Sequence, residues 1–80
     1  GGGALRAAVS EKLKSIVTGL LKLGDDDYST DTMLLNLGFD SIGLTAFANA
    51  INEAYGLEVN PVLFFEYPTP AGVADALCGE

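Results

Sequence analysis

The chain has 80 residues, 49% of them hydrophobic, and this size and composition predict a single folded domain with one core. All four basic residues fall in the first 22 positions, whose net charge is +3, whereas the remaining 58 residues hold ten acids and no base. The net charge of −7 argues against nucleic-acid binding and favours partners with basic surfaces.

Missing residue types restrict the chemistry further. The sequence has no histidine and one cysteine, Cys78, which excludes a Ser-His-Asp or Cys-His arrangement, an internal disulfide and the usual zinc ligand sets. We interpret Cys78 as a small packed side chain. No apolar run is long enough to span a membrane, and the first residues do not form a signal peptide. We therefore expect a cytoplasmic protein that is not an enzyme and holds no metal.

The N-terminal part of the chain predicts one amphipathic helix. Residues 1–3 are glycines and are interpreted as a linker or a cloning remnant, which leaves residues 4–78 as the domain. Between residues 5 and 23 the apolar positions recur at intervals of three and four, and Gly24 is expected to end the helix. The apolar face consists of Leu5, Val9, Leu13, Ile16, Val17, Leu20 and Leu21.

Residues 24–40 show no clear period and predict a long loop that is pinned by its own side chains and could contain a short helical turn. The pinning residues are expected among Met33, Leu34, Leu35, Leu37 and Phe39. A calcium loop beginning at Asp25 is excluded, because Thr30 and Asn36 stand where such a loop needs glycine and glutamate. The acids are therefore interpreted as solvated loop and cap residues.

Three further helices are predicted after this loop. Asp40 is a good N-cap for a helix over residues 41–55 that ends at Gly56. Asn60-Pro61 predicts the start of a short helix over residues 61–66, and Thr69-Pro70 predicts the start of a last helix that ends near Gly79. The inward positions are Leu44, Phe47, Ala48, Ile51 and Tyr55, then Val73, Ala74 and Leu77. With no strand signal, the prediction is an all-α four-helix bundle with three longer helices and one short third helix.

Ser41 occupies the first helical position after the Asp40 cap. Free amides and the positive end of the helix dipole favour a phosphate there, and a serine at this point presents its hydroxyl outwards. No base in the chain can activate that hydroxyl, so another enzyme would have to modify it. Taken alone, the Asp-Ser pair is a weak signal, because helix capping by itself explains most such pairs.

The run LGFDSIGLTAFANAINEAYGLEVNPVLFFEYPTPAGVADAL, residues 37–77, resembles the acyl carrier protein family. With the preceding helix and loop, the resemblance extends over residues 4–78. It implies a four-helix bundle whose serine, here Ser41, is esterified with 4′-phosphopantetheine from coenzyme A by a phosphopantetheinyl transferase that recognises Asp40. It further implies that Ile42 faces partner enzymes, and we add Ala46 and Asn49 to that face. An Ile42 side chain tucked against the loop is the open alternative.

Departures from the family pattern favour one subfamily. The second helix has a single acid, Glu53, unlike fatty-acid carriers, and Gly38-Phe39-Asp40 replaces the Gly-Gly pair of peptidyl carriers. The sequence of this region is most similar to that of carrier domains of modular polyketide synthases that are served by free-standing acyltransferases. That resemblance implies a monomeric domain that works with ketosynthase, acyltransferase and modifying domains, without nucleic acid or membrane. A peptidyl carrier of a nonribosomal peptide synthetase and an unmodified helical docking module are the alternatives.

Five more residues carry expectations. Phe47 stands where some polyketide carriers have a tryptophan linked with β-branching, but its place in the apolar stripe favours packing. Phe64, Phe65 and Tyr67 are interpreted mainly as core closure rather than as an aromatic binding box. Gly43, at the third helical position, could allow close approach of the arm or a partner, a point that the sequence leaves open.

Overall fold

A computed structural model describes residues 2–79, and within this range every regular element is helical. The elements are α1 (Gly2–Leu21), a single 3-10 turn (Asp25–Asp27), α2 (Leu34–Leu37), α3 (Ser41–Tyr55), α4 (Leu63–Glu66) and α5 (Pro70–Leu77). The predicted all-α carrier-type bundle is confirmed, with α1, α3, α4 and α5 as its four helices and α2 as the short turn within the long loop. Within residues 2–79 no helix is both long and apolar enough to cross a membrane.

The two ends of α1 differ from the sequence prediction. The helix begins at Gly2, before Leu5, while Gly1 lies outside the described residues. It ends at Leu21 because Lys22 adopts a left-handed conformation, with φ of 55°. The amide of Leu23 then donates to the Thr18 carbonyl at 3.0 Å, which is the closing bond of a Schellman motif. The prediction that Gly24 ends the helix was wrong, since Gly24 has extended backbone with φ of −77°.

The core lies where α1 packs against α3 and α5. Every α-helix contributes at least one buried hydrophobic side chain, and the predicted inward faces of α3 and α5 supply half of them. Tyr55, Leu5 and Leu20 were expected inside but are 39%, 58% and 42% exposed, and each lies in an end turn of its helix. The buried hydrophobic residues are Val9, Leu13, Val17, Leu34, Phe39, Leu44, Phe47, Ala48, Ile51, Phe64, Val73 and Ala74.

The long loop before α3 is tied to the α4–α5 junction by backbone hydrogen bonds. The amide of Leu34 donates to the Pro68 carbonyl at 2.8 Å, and the amide of Ala71 donates to the Thr30 carbonyl at 3.0 Å. Leu34 and Phe39 are buried and pin the loop as predicted, whereas Met33 and Leu35 are exposed. The loop therefore approaches the start of α3 along a fixed path.

The later helix boundaries follow their caps. Gly56 ends α3 with φ of 65°, and the Thr69 hydroxyl accepts from the Gly72 amide at 3.1 Å at the start of α5, so both predictions are confirmed. Asn60 accepts from the Val62 amide at 2.9 Å, but this residue opens a turn, and α4 begins at Leu63, two residues later than predicted.

Candidate functional site

Asp40 organises the first turn of α3. Its Oδ1 accepts a hydrogen bond from the Gly43 amide at 2.7 Å, and its carbonyl accepts from the Leu44 amide at 2.8 Å. Within residues 2–79 the amides of Ser41 and Ile42 are left without an acceptor. These two amides lie at the positive end of a 15-residue helix, where a phosphate oxygen is favoured.

Ser41 is exposed and directly follows the cap. Its carbonyl accepts from the Thr45 hydroxyl at 3.0 Å, an ordinary helical contact that leaves the serine side chain free to face solvent. The chain has no histidine, and the Asp40 carboxylate is occupied as a cap, so no group next to Ser41 is arranged as a general base. An exposed serine beside two free amides can accommodate a phosphodiester attached by an outside enzyme.

Three phenylalanine rings stack beneath this turn. Phe39 lies 5.2 Å from Phe47 with an interplanar angle of 13°, and Phe47 lies 4.9 Å from Phe64 at 8°. All three are buried, and Phe47 is fully so, which confirms its interpretation as a packing residue. The stack connects the residue before Asp40 to α3 and α4, so the backbone that carries Ser41 is fixed from below.

The exposed side of α3 next to Ser41 is a shallow, uncharged depression. Ser41, Ile42, Thr45, Ala46 and Asn49 line it. Ile42 is 82% exposed, so the alternative in which it is tucked against the loop is wrong. Asn49 is also exposed and Ala46 is half-buried. The three residues predicted to face partners are thus brought onto one surface with Ser41.

A second surface feature near the site was missed by the sequence reasoning. An apolar groove of about 160 Å³ lies between α2, α3 and α4, with Leu34, Leu44 and Phe64 at its floor. Phe65 is 72% exposed at its rim, together with Met33, Leu35 and Pro68, so the prediction of Phe65 as core closure was wrong. A helix of four residues is too short for its apolar period to show which aromatic ring points inwards.

Two ion pairs join residues that do not line this face. Asp25 of the 3-10 turn lies 4.0 Å from the ammonium of Lys14 on α1, and Arg6 Nε donates to Asp75 Oδ1 at 2.6 Å, joining α1 to α5. Among the residues that the structure describes, no group of acids, cysteines or histidines is arranged to hold a metal ion.

This fold and site are typical of a carrier domain, which is not itself an enzyme. Comparison with known families agrees: residues 11–77 match the family described as the phosphopantetheine attachment site. The chain belongs to this family, whose members carry a covalently attached 4′-phosphopantetheine. The class and the cofactor expected from the sequence are therefore confirmed.

Similar proteins include two polyketide synthases of Bacillus subtilis. PksN is 39% identical over 72 residues, which is 90% of this chain and 1% of that protein, and PksM is 33% identical over 66 residues, which is 82% of this chain and 2% of that protein. The chain thus spans only a small part of these relatives. A free-standing peptidyl carrier protein of Acinetobacter baumannii has the same fold, with a TM-score of 0.84, 24% identity and 90% coverage of both chains.

Proposed function

We propose that Ser41 is the attachment point of the phosphopantetheine arm and that Asp40 assists the transferase. The observation that carries this proposal is the exposed serine at the first position of α3, beside two amides without acceptors. In the reaction, the Ser41 oxygen forms an ester bond to the phosphopantetheinyl phosphorus of coenzyme A. Adenosine 3′,5′-bisphosphate leaves, and the serine proton passes to a base of the transferase. The attached arm supplies a terminal thiol that holds acyl groups as thioesters.

We further propose that the cargo is a polyketide intermediate and that residues 4–78 form the working domain in the cytoplasm. The similarity to PksN and PksM supports this cargo. Ketosynthase, acyltransferase and modifying domains would then meet the arm across the neutral face of Ile42, Ala46 and Asn49. A peptidyl cargo is the second candidate, since the similar Acinetobacter baumannii structure is a peptidyl carrier.

Modification by a promiscuous phosphopantetheinyl transferase tests the attachment point. With coenzyme A, the wild-type protein should gain one phosphopantetheinyl group by mass spectrometry, and Ser41→Ala should gain none. Ser15→Ala is the matched control, because Ser15 is an exposed serine on α1 and should leave modification unchanged. An unmodified wild-type protein would leave the helical docking module as the better description, and a modified Ser41→Ala variant would place the attachment elsewhere.

Two substitutions separate the cap from the recognition role of Asp40. Asparagine caps a helix as well as aspartate does, so Asp40→Asn should keep the thermal stability while slowing modification if the transferase reads the charge. Asp40→Ala should lose about 1 kcal/mol of stability as well. Equal modification rates for Asp40→Asn and wild type would show that the transferase does not use the carboxylate.

Loading assays distinguish the two cargo classes. The modified domain should accept an acyl group from a polyketide acyltransferase and then serve as a substrate for a ketosynthase. Loading by an adenylation domain, without turnover by the ketosynthase, would instead identify the domain as a peptidyl carrier.

A further inference from the structure

The third residue of α3, Gly43, lies where a side chain would collide with the residues before Ser41. A Cβ built on Gly43 would lie 3.0 Å from Cδ1 of Phe39 and 3.3 Å from Oδ1 of Asp40. The first distance is shorter than the usual van der Waals contact of about 3.5–4.0 Å between carbon atoms. The backbone of Gly43 is helical, so what the position requires is the missing Cβ rather than an unusual conformation.

A Cβ at these distances would require its neighbours to shift by a few tenths of an ångström, and Phe39 is the more constrained of the two. Phe39 is 4% exposed, and its ring is stacked on the fully buried Phe47 at 5.2 Å. Asp40 Oδ1 is held at 2.7 Å by the Gly43 amide itself. A methyl group at position 43 would therefore shift the Phe39 ring, the Asp40 cap or the first turn of α3. Ser41 belongs to that turn, so its hydroxyl would shift as well.

We propose that Gly43 is a positioning residue for phosphopantetheine transfer: its missing Cβ lets the Phe39 ring and the Asp40 cap close on the first turn of α3, which places the Ser41 hydroxyl for attack. This inference rests on the proposed attachment at Ser41. It differs from the possibility, left open by the sequence, that Gly43 allows close approach of the arm or a partner, because it rests on Phe39 and Asp40 of the domain itself.

Gly43→Ala tests the proposal against a matched control. Gly19 lies in α1, and a Cβ built there meets nothing within 4 Å, so Gly19→Ala should raise thermal stability through helix propensity and leave modification unchanged. Gly43→Ala should instead lower the kcat of the transferase about tenfold, the loss expected from a misplaced nucleophile. The KM for the carrier should stay near its wild-type value, because Ile42, Ala46 and Asn49 remain on their exposed face.

A double variant identifies the cause of the loss. In Phe39→Leu the rigid ring is replaced by a smaller side chain that can turn away from position 43. The double variant should therefore have a kcat within about twofold of that of Phe39→Leu alone, a much smaller change than Gly43→Ala causes in the wild-type background. This comparison also serves if Gly43→Ala alone does not fold. Wild-type kcat for a folded Gly43→Ala, or an undiminished loss in the double variant, would overturn the positioning role. If wild type itself is not modified, the proposed function fails first.

Discussion

Lys22→Gly should stabilise the domain, because Lys22 ends α1 in a conformation that L-residues avoid. Its φ is 55°, and a left-handed conformation costs an L-residue about 1–2 kcal/mol. Glycine also gives the unfolded chain more conformational entropy, which offsets about 0.4–1 kcal/mol of the relieved strain. The expected net gain is about 0.5–1 kcal/mol, or about 2–8 °C in Tm for a domain of this size. Urea and thermal unfolding followed by circular dichroism would measure it.

The same substitution elsewhere in α1 should have the opposite sign. Lys12 is exposed in the middle of the helix, so Lys12→Gly should cost about 0.5–1 kcal/mol through lost helix propensity. Gly56 ends α3 with the same left-handed turn as Lys22 ends α1, and the Leu57 amide donates to the Asn52 carbonyl at 3.2 Å. Gly56→Ala should therefore destabilise the protein, because alanine does not adopt this conformation without strain. If Lys22→Gly destabilised the protein as much as Lys12→Gly, the assignment of a strained helix end would be refuted.

Three further outcomes are expected. The Tyr28 hydroxyl is buried without a hydrogen-bond partner in residues 2–79, so Tyr28→Phe should gain about 1 kcal/mol in urea unfolding at neutral pH. Burial, and then the Glu11 carboxylate, raise the pKa of Tyr28 above 10.0. The stability contributed by the neutral phenol is therefore present below pH 10 and is lost as the pH rises through the higher pKa of the folded protein. Tyr28→Phe should reduce this loss in alkaline unfolding curves. Asn52 exchanges two hydrogen bonds with the Val59 backbone, at 2.6 and 3.0 Å, so Asn52→Ala should speed hydrogen exchange at Val59 and cost about 1–2 kcal/mol. Raising the salt from about 0.01 to about 1 M should slow the association of basic partners far more than it changes their dissociation rate. The reason is that the contact face around Ile42 is neutral, so salt screens the approach of the partners and not the contacts of the bound complex. A strongly salt-dependent dissociation rate in stopped-flow binding would contradict this.

The parts of the fold that could be predicted are those where several sequence signals coincide. Helix α3 has a capping residue, a 3–4 apolar period and a terminal glycine, and it extends over the expected residues 41–55. The start of α5 combines threonine with proline and is equally clear. Ser41 could be singled out because it follows one of these caps and stands in a run typical of carrier proteins.

The errors occur where tertiary contacts decide the outcome. Gly24 was predicted to end α1, but the helix ends at Leu21, where Lys22 turns the chain and Leu23 then packs against the core. The exposure of Phe65 and the groove beside it depend on how α4 is rotated, which four residues do not encode as a period. The need for a glycine at position 43 depends on the ring of Phe39, which only the folded chain brings to it.

A carrier needs a mobile arm on a fixed base, and the first turn of α3 provides such a base. The loop before it is held by the hydrogen bond from Leu34 to Pro68, and Phe39 is held by its stack on Phe47. Asp40 then uses both its carbonyl and its carboxylate within the turn, which leaves Ser41 with exposure but without a base of its own. On the proposed attachment at Ser41, the transferase would supply the base for the reaction, and this chain would supply the position of the hydroxyl. The proposal therefore assigns roles to the contacts of Phe39 and Gly43 as well as to the exposed face of α3.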